Sequence, residues 1–175
     1  MEDSAAGDAT RRKIADTLDA GLKTQWEADG VSLGYRYERS PICVPDGTAA
    51  TPDELSTYVP TARPGHRAPH AWVGKDQSVL DYFGKGFCLL RFGRGAADAE
   101  RAGVEPLVRA AGEKRVPLHV VDIDDPAIGA CYERALVLVR PDGHTAWRGD
   151  ALPADPDALI DLVRGAARSS VAPAH

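Results

Sequence analysis

A mixed α/β fold with a central sheet is predicted by three features of the chain between Gly86 and Gly165. Short apolar runs alternate there with stretches of helical spacing, in the order strand, helix, strand, short helix, hairpin and helix. The first two runs are almost continuously apolar, as strands buried on both faces are. Two helix starts carry an acid followed by proline, Asp125-Pro126 and Asp155-Pro156, a pairing of cap and first helical residue. That order of elements is the thioredoxin-like plan.

Phe87-Cys88-Leu89-Leu90-Arg91-Phe92 is the first strand. Ala96 to Gly112 is Ala-rich and helical, with Val104, Leu107, Val108 and Ala111 facing inward and Gly103 and Pro106 kinking or splitting it. A second buried strand covers 117–122, and Asp125 caps a short helix through Tyr132. Leu136–Val139, the turn Pro141-Asp142-Gly143 and Thr145-Ala146-Trp147 form a hairpin with Trp147 in the core. In the last helix Leu159, Ile160 and Val163 share a face and Gly165 follows the end.

Upstream, Ile14, Leu18, Leu22 and Trp26 recur every four residues, which predicts a helix from about Thr10 to Ala28 with one apolar stripe. This stripe is a candidate interface. Val31, Leu33, Tyr35 and Tyr37 follow at spacing two and read as a half-buried strand, so helix and strand cover one another or a neighbour. From Ser40 to Arg67 the prolines and glycines of Ser40-Pro41, Pro45-Asp46-Gly47, Val59-Pro60 and Arg63-Pro64-Gly65 predict an extended, turn-rich connector. Ala71-Trp72-Val73 reads as a short strand and Ser78 to Phe83 as an amphipathic stretch ended by Gly84. The expected organisation is an acidic helix-strand appendage with connector over 1–58, the thioredoxin-like domain over 59–168 and a frayed tail over 169–175.

The net charge of −5 lies entirely on the first third, where residues 1–58 hold 6 Lys/Arg against 11 Asp/Glu, while residues 59–175 hold 15 of each. Neither part has the concentrated basic field that displaces counterions from phosphates, so nucleic acid is not an expected partner. No leader-type apolar core opens the chain, and no run reaches the roughly 18 to 20 apolar residues that span a bilayer, so a cytoplasmic protein without a membrane partner is expected.

The fold's usual chemistry is missing. Where a thioredoxin places two cysteines, the chain reads Phe92-Gly93-Arg94-Gly95-Ala96, and where a cis-proline precedes the third strand it reads Glu133-Arg134-Ala135. Cys43, Cys88 and Cys131 are odd in number and far apart, and each reads as a small buried hydrophobe. A cysteine-dependent thiol oxidoreductase or peroxidase using Cys88 or Cys131 is the rival reading, and it needs a thiol of depressed pKa. Arg63, His66, Arg67 and His70 cluster in Arg63-Pro64-Gly65-His66-Arg67-Ala68-Pro69-His70, a pattern open to a contact with a neighbouring domain or a ligand, or to a plain linker. Two histidines four apart on a proline-broken backbone share no helical face, which argues against a metal. His119 with Asp122, Asp124 and Asp125 resembles an ion site, but acids after a strand cap the next helix. No phosphate-binding glycine loop or nucleophile elbow occurs, so no catalytic, cofactor-binding or metal residue is assigned.

Three motifs in order resemble the C-terminal third of FAD-dependent aromatic hydroxylases, the phenol and polyketide hydroxylases of the class A flavoprotein monooxygenases. They are Leu33-Gly34-Tyr35-Arg36-Tyr37-Glu38-Arg39-Ser40-Pro41, then Ala62-Arg63-Pro64-Gly65-His66-Arg67-Ala68-Pro69-His70, then Leu138 to Gly149. The resemblance covers about Arg11 to Ala167. It implies a thioredoxin-like region without the cysteine pair, in enzymes whose FAD and substrate are held by preceding domains that have no counterpart here. It therefore implies no cofactor bound by this chain alone. The function expected is non-catalytic, a docking, oligomerisation or structural module of a bacterial flavoprotein hydroxylase or a descendant of one. A homo-oligomer or such a hydroxylase is the expected partner.

Overall fold

The longest apolar run, Phe87–Phe92, becomes the strand around which the larger part of the molecule is built. The computed structural model describes residues 5–26, 28–50, 52, 54, 56–93 and 103–166. Their contacts gather into two units, one of Met1–Tyr35 with Thr51–Val59 and one of Arg36–Ala50 with Pro60–His175.

In the second unit β1 (Phe87–Phe92) runs parallel to β2 (Leu118–Ile123), with Leu89 beside Val120, and antiparallel to β3 (Leu136–Val139), with Leu89 beside Leu138. β4 (Thr145–Gly149) pairs antiparallel with β3, so the order is β2-β1-β3-β4. The pleat sends alternate side chains to opposite faces. Leu89 and Leu138 meet Leu107 of α3 (Glu105–Glu113) and Ile160 of α5 (Pro156–Val163) on one side, with Trp147. Cys88, Leu90, Val137 and Val139 meet Ile128 and Tyr132 of α4 (Pro126–Tyr132) on the other. The sheet is thus flanked by helices on both faces, with the predicted element order.

The helix starts follow the local chemistry. The Asp125 carboxylate accepts from the N–H groups of Ala127 and Ile128, and Asp155 accepts from Ala158 N–H, with proline next in both helices. The hairpin turn closes on Gly143, whose φ of 81° is the left-handed region that glycine reaches without strain.

β4 is an edge strand, yet its residues are buried. Two proline-rich segments cover it. Val44 N–H donates to Ala146 O, Gly65 N–H to Thr145 O, Thr145 N–H to His66 O and Ala68 N–H to Gly143 O, all within 2.8–2.9 Å. The segments satisfy the edge without extending the ladder, which removes a surface open to unwanted strand pairing.

Several expectations are corrected. Val31, Leu33, Tyr35 and Tyr37 form no strand: residues Asp29–Gly34 are helical, Val31 and Ser32 N–H both donate to Ala28 O, and all four side chains are exposed. The helical hydrogen bonds take Val31 and Leu33, and the pairing that follows is one isolated bridge, Arg36 to His66, with Tyr37 N–H donating to Gly65 O. Ala71-Trp72-Val73 makes one isolated bridge, Trp72 to Ser78, across a bend at 73–76 instead of a strand, and the Ser78 to Phe83 stretch is a 3-10 helix over Val79–Tyr82. β2 is a half-buried edge strand instead of a fully buried one. Val108 is exposed on α3, and Ala110 takes the inward place beside Leu107 and Ala111. Pro106 lies in the first turn of α3 and so opens that helix instead of kinking it, while the part of the predicted helix before Gly103 lies outside the described residues. Cys131 is exposed, unlike Cys43 and Cys88, because it falls on the outer face of α4.

The first unit holds α1 (Ala5–Trp26) and α2 (Asp29–Gly34). Ile14 and Leu18 are exposed on α1, and the side chains of Leu22 and Trp26 lie outside the described ones, as does the tail from 167 onward.

Candidate functional site

The polar groups that sequence singles out converge where the two proline-rich segments meet β4. Gly65 turns the chain there with φ 88°, and a Cβ on it would come within 2.7 Å of the Glu38 backbone N. The close approach lets Tyr37 N–H donate to Gly65 O at 2.7 Å. Glu38 is thereby set against three cationic or titratable groups. Its Oε1 accepts from Arg63 Nη1 at 2.8 Å and lies 3.0 Å from His66 Nε2, and its Oε2 lies 3.5 Å from Arg36 Nε.

Arg63 is held on a second side, donating from Nε to Thr48 Oγ1 at 2.8 Å and from Nη2 to Thr48 O at 2.9 Å. Thr48 also closes a local turn on Asp46, whose Oδ1 accepts from Thr48 N–H at 3.0 Å and from Thr48 Oγ1 at 2.6 Å. Asp46 Oδ2 accepts from Arg148 Nε at 2.6 Å, and Arg148 Nη1 lies 3.1 Å from Glu133 Oε2. A chain of contacts therefore runs from Arg36 to Glu133 through Glu38, Arg63, Thr48, Asp46 and Arg148.

Burial raises the Asp46 carboxyl, but hydrogen bonds from Thr48 and Arg148 outweigh it and bring its pKa down to about 2. Burial likewise pushes Glu38 up and is outweighed by the His66 hydrogen bond and the charges of Arg36 and Arg63, so its pKa is lowered. His66 is lowered by burial, helped by Arg63 and Arg36, against the pull of Glu38. Near neutral pH Glu38 and Asp46 are therefore carboxylates facing arginines, and His66 is a neutral imidazole.

The other two candidates of the cluster point elsewhere. Arg67 is half-buried, its backbone bridged to His144, and its guanidinium has no polar partner among the described residues. His70 is exposed, and its ring stands edge-on to that of Trp72 at 5.0 Å.

Two further places carry the rival chemistry. Cys88 is buried in β1, and burial pushes its thiol up to about 12. At the exit of β1, a Cβ on Gly93 would meet Asp124 Oδ1 at 2.8 Å, so the room beside that glycine is filled by a carboxylate. Asp125 caps α4, His119 Nε2 lies 2.8 Å from Tyr82 O, and Asp122 pairs with Arg91, so the acids after β2 and His119 do not converge. Among the described residues no group of His, Cys, Asp and Glu could hold a metal ion, and no helix is long and apolar enough to cross a membrane.

Residues 61–167 match the family described as "Aromatic-ring hydroxylase, C-terminal", which is more than half of the chain. The chain belongs to that family. This hydroxylase C-terminal region is 40% identical over 128 residues to the FAD-dependent monooxygenase apdD of Emericella nidulans, covering 70% of the chain and 20% of the relative. It is 32% identical over 179 residues to 4-methyl-5-nitrocatechol 5-monooxygenase of a Burkholderia species, covering 93% and 32%. Among solved structures it resembles native and K252c-bound RebC-10x, with a TM-score of 0.77 and 44% identity over 95% of this chain and 30% of that one. The chain thus spans about a third or less of each of these relatives.

Sequence reasoning missed Glu38, Asp46, Thr48 and Arg148 as members of the cluster. One signal was available: Arg148 sits in a strand next to a core tryptophan, and a guanidinium carried inside needs an acid from somewhere.

Proposed function

We propose that this chain is the non-catalytic C-terminal module of an FAD-dependent aromatic-ring hydroxylase, serving to dock on, or hold together, the flavin-bearing part. The observation that carries this reading is the use made of the polar residues. Glu38, Asp46, Arg63, His66 and Arg148 are turned toward one another and pin the proline-rich segments on β4. A reaction centre needs a polar group aimed at a substrate, and these are aimed at each other.

The β1 exit supports the same reading for the cofactor. A dinucleotide pyrophosphate needs glycine N–H groups at a helix start with no anion in the way, and Asp124 lies against Gly93. That carboxylate argues against a pyrophosphate at Gly93. The relatives supply it in their own names, since apdD is an FAD-dependent monooxygenase and one RebC structure contains reduced flavin.

The cysteine reading loses support at Cys88, whose buried thiol is far from the thiolate that exchange requires. Insulin-reduction and peroxide assays on the wild type and on Cys131→Ser and Cys88→Ser test it directly. No cysteine-dependent turnover is expected. Size-exclusion chromatography with light scattering, on the chain alone and co-expressed with a flavoprotein hydroxylase, tests the module. A chain that stays strictly monomeric and ignores the flavoprotein overturns the proposal.

A further inference from the structure

The proline-rich layer on β4 has an inner side that is consumed by its own ion pairs and an outer side that is not. Among the described residues of the second unit the exposed large apolar side chains are Tyr37, Trp72 and Val108, and Trp72 is the most open of them at 62%. Two of the three, Tyr37 and Trp72, lie on the segments that cover or adjoin the β4 edge. Neither sits on a loose tail. Trp72 is bridged to Ser78, Val73 N–H donates to Gln77 O and Val79 N–H to Ala71 O at 2.9 Å, and Ser78 caps the 3-10 helix that follows. The backbone is held at these points, and the indole is mostly open to solvent, with the His70 ring standing perpendicular to it at 5.0 Å.

Arg67, on the same segment, has its backbone tied to His144 and its guanidinium without a polar partner among the described residues. The neighbouring arginines differ. Arg63, Arg140 and Arg148 are each spent on an acid of the same unit. A held, exposed tryptophan five residues along the same segment from an arginine with no polar partner among the described residues is the composition of an interface centre, where Trp, Tyr and Arg are enriched and isolated charges are completed by the partner.

We infer that Arg67, His70 and Trp72 form the surface by which this module meets the flavin-bearing part of an aromatic-ring hydroxylase. This inference rests on the proposed function and adds the place of contact. The occupant follows from the relatives: the region matched here accounts for 30% of the RebC-10x chain and 29% of the RebC chain that contains reduced flavin. The larger remainder is the surface available to it. The chemistry requires that surface to present an apolar cleft for the indole of Trp72 and a carboxylate for Arg67.

The test titrates the full 175-residue chain into RebC shortened to leave out the matched region and purified with its flavin absorbance intact, followed by calorimetry. Wild type binds, and Trp72→Ala and Arg67→Glu each weaken binding at least tenfold. Val108→Ala, on the remote α3 face, binds as wild type does. Thermal unfolding of the isolated variants checks that each is folded, and these positions, none of them buried, leave it within a few degrees of wild type. Undiminished binding by both Trp72→Ala and Arg67→Glu overturns this surface and leaves the module reading standing. Absence of wild-type binding overturns both.

Discussion

Arg148 and Asp46, 102 residues apart, are joined by a 2.6 Å hydrogen bond from Nε to Oδ2, with the arginine side chain wholly buried. The pair holds the first proline-rich segment on β4, and burial makes its loss costly because a guanidinium left alone inside cannot recover its hydration. Asp46→Ala is expected to destabilise the chain by about 3 kcal/mol, the low end for breaking a buried pair, since Glu133 still faces Arg148. Urea denaturation measures it. A loss within about 0.5 kcal/mol, the level of an ordinary surface substitution, contradicts the assigned role.

The cluster also gives the pH dependence a sign. His66 is lowered from 6.5 by burial and the nearby arginines, so the unfolded chain binds a proton more readily than the folded one. Stability is full above pH 6.5 and falls as the pH drops through the window below it. Glu38 and Asp46, both lowered, add a second loss below their ordinary values of 4.5 and 3.8. Melting temperatures of wild type and His66→Gln between pH 8 and pH 5 check the first part, with the flatter curve expected in the variant. Equal slopes in the two proteins contradict it.

Gly65 occupies a conformation and a space that other residues cannot share, with φ 88° and the Tyr37–Glu38 backbone within 2.8 Å of a Cβ placed there. Gly65→Ala strains the turn and pushes Glu38 from Arg63 and His66. A destabilisation of about 2 kcal/mol is expected. Gly47 also has a positive φ but nothing within 4 Å of its Cβ position, so Gly47→Ala costs less in the same denaturation experiment.

Thiol reactivity separates the three cysteines. Cys131 is exposed, whereas Cys43 and Cys88 are buried and the Cys88 thiol is pushed up to about 12. A disulfide reagent at pH 8 is expected to label one thiol in the folded chain and all three after denaturation. Cys131→Ser removes the fast reaction. Rapid labelling of Cys88 in the folded protein revives a redox role.

Much of the sheet was legible because its information is local. β1 and β3 are contiguous apolar runs, and α4 and α5 begin with an acid and a proline that fix the first turn whatever surrounds them. The β4 edge was not legible. Its covering segments carry no periodicity, and what holds them is Asp46 with Arg148 and Glu38 with Arg63, partners 102 and 25 residues apart. Val31 to Tyr37 misled for a related reason, since alternation reports a strand only where a partner runs alongside, and among the described residues the pairing here is the isolated Arg36–His66 bridge. Of the candidate site, Arg63 and His66 come together on Glu38, while Arg67 and His70 do not join them; His66 and Arg67 are consecutive on bridged backbone, where neighbouring side chains alternate in direction.

The proposed role has this chain serve a flavin enzyme without holding the flavin. Titrating FAD, with and without a phenolic ligand, against the purified 175-residue chain tests it most directly, read by flavin fluorescence and by melting temperature. Colourless protein, no saturable change in fluorescence and an unchanged melting temperature are expected. Stoichiometric FAD binding with a raised melting temperature contradicts it.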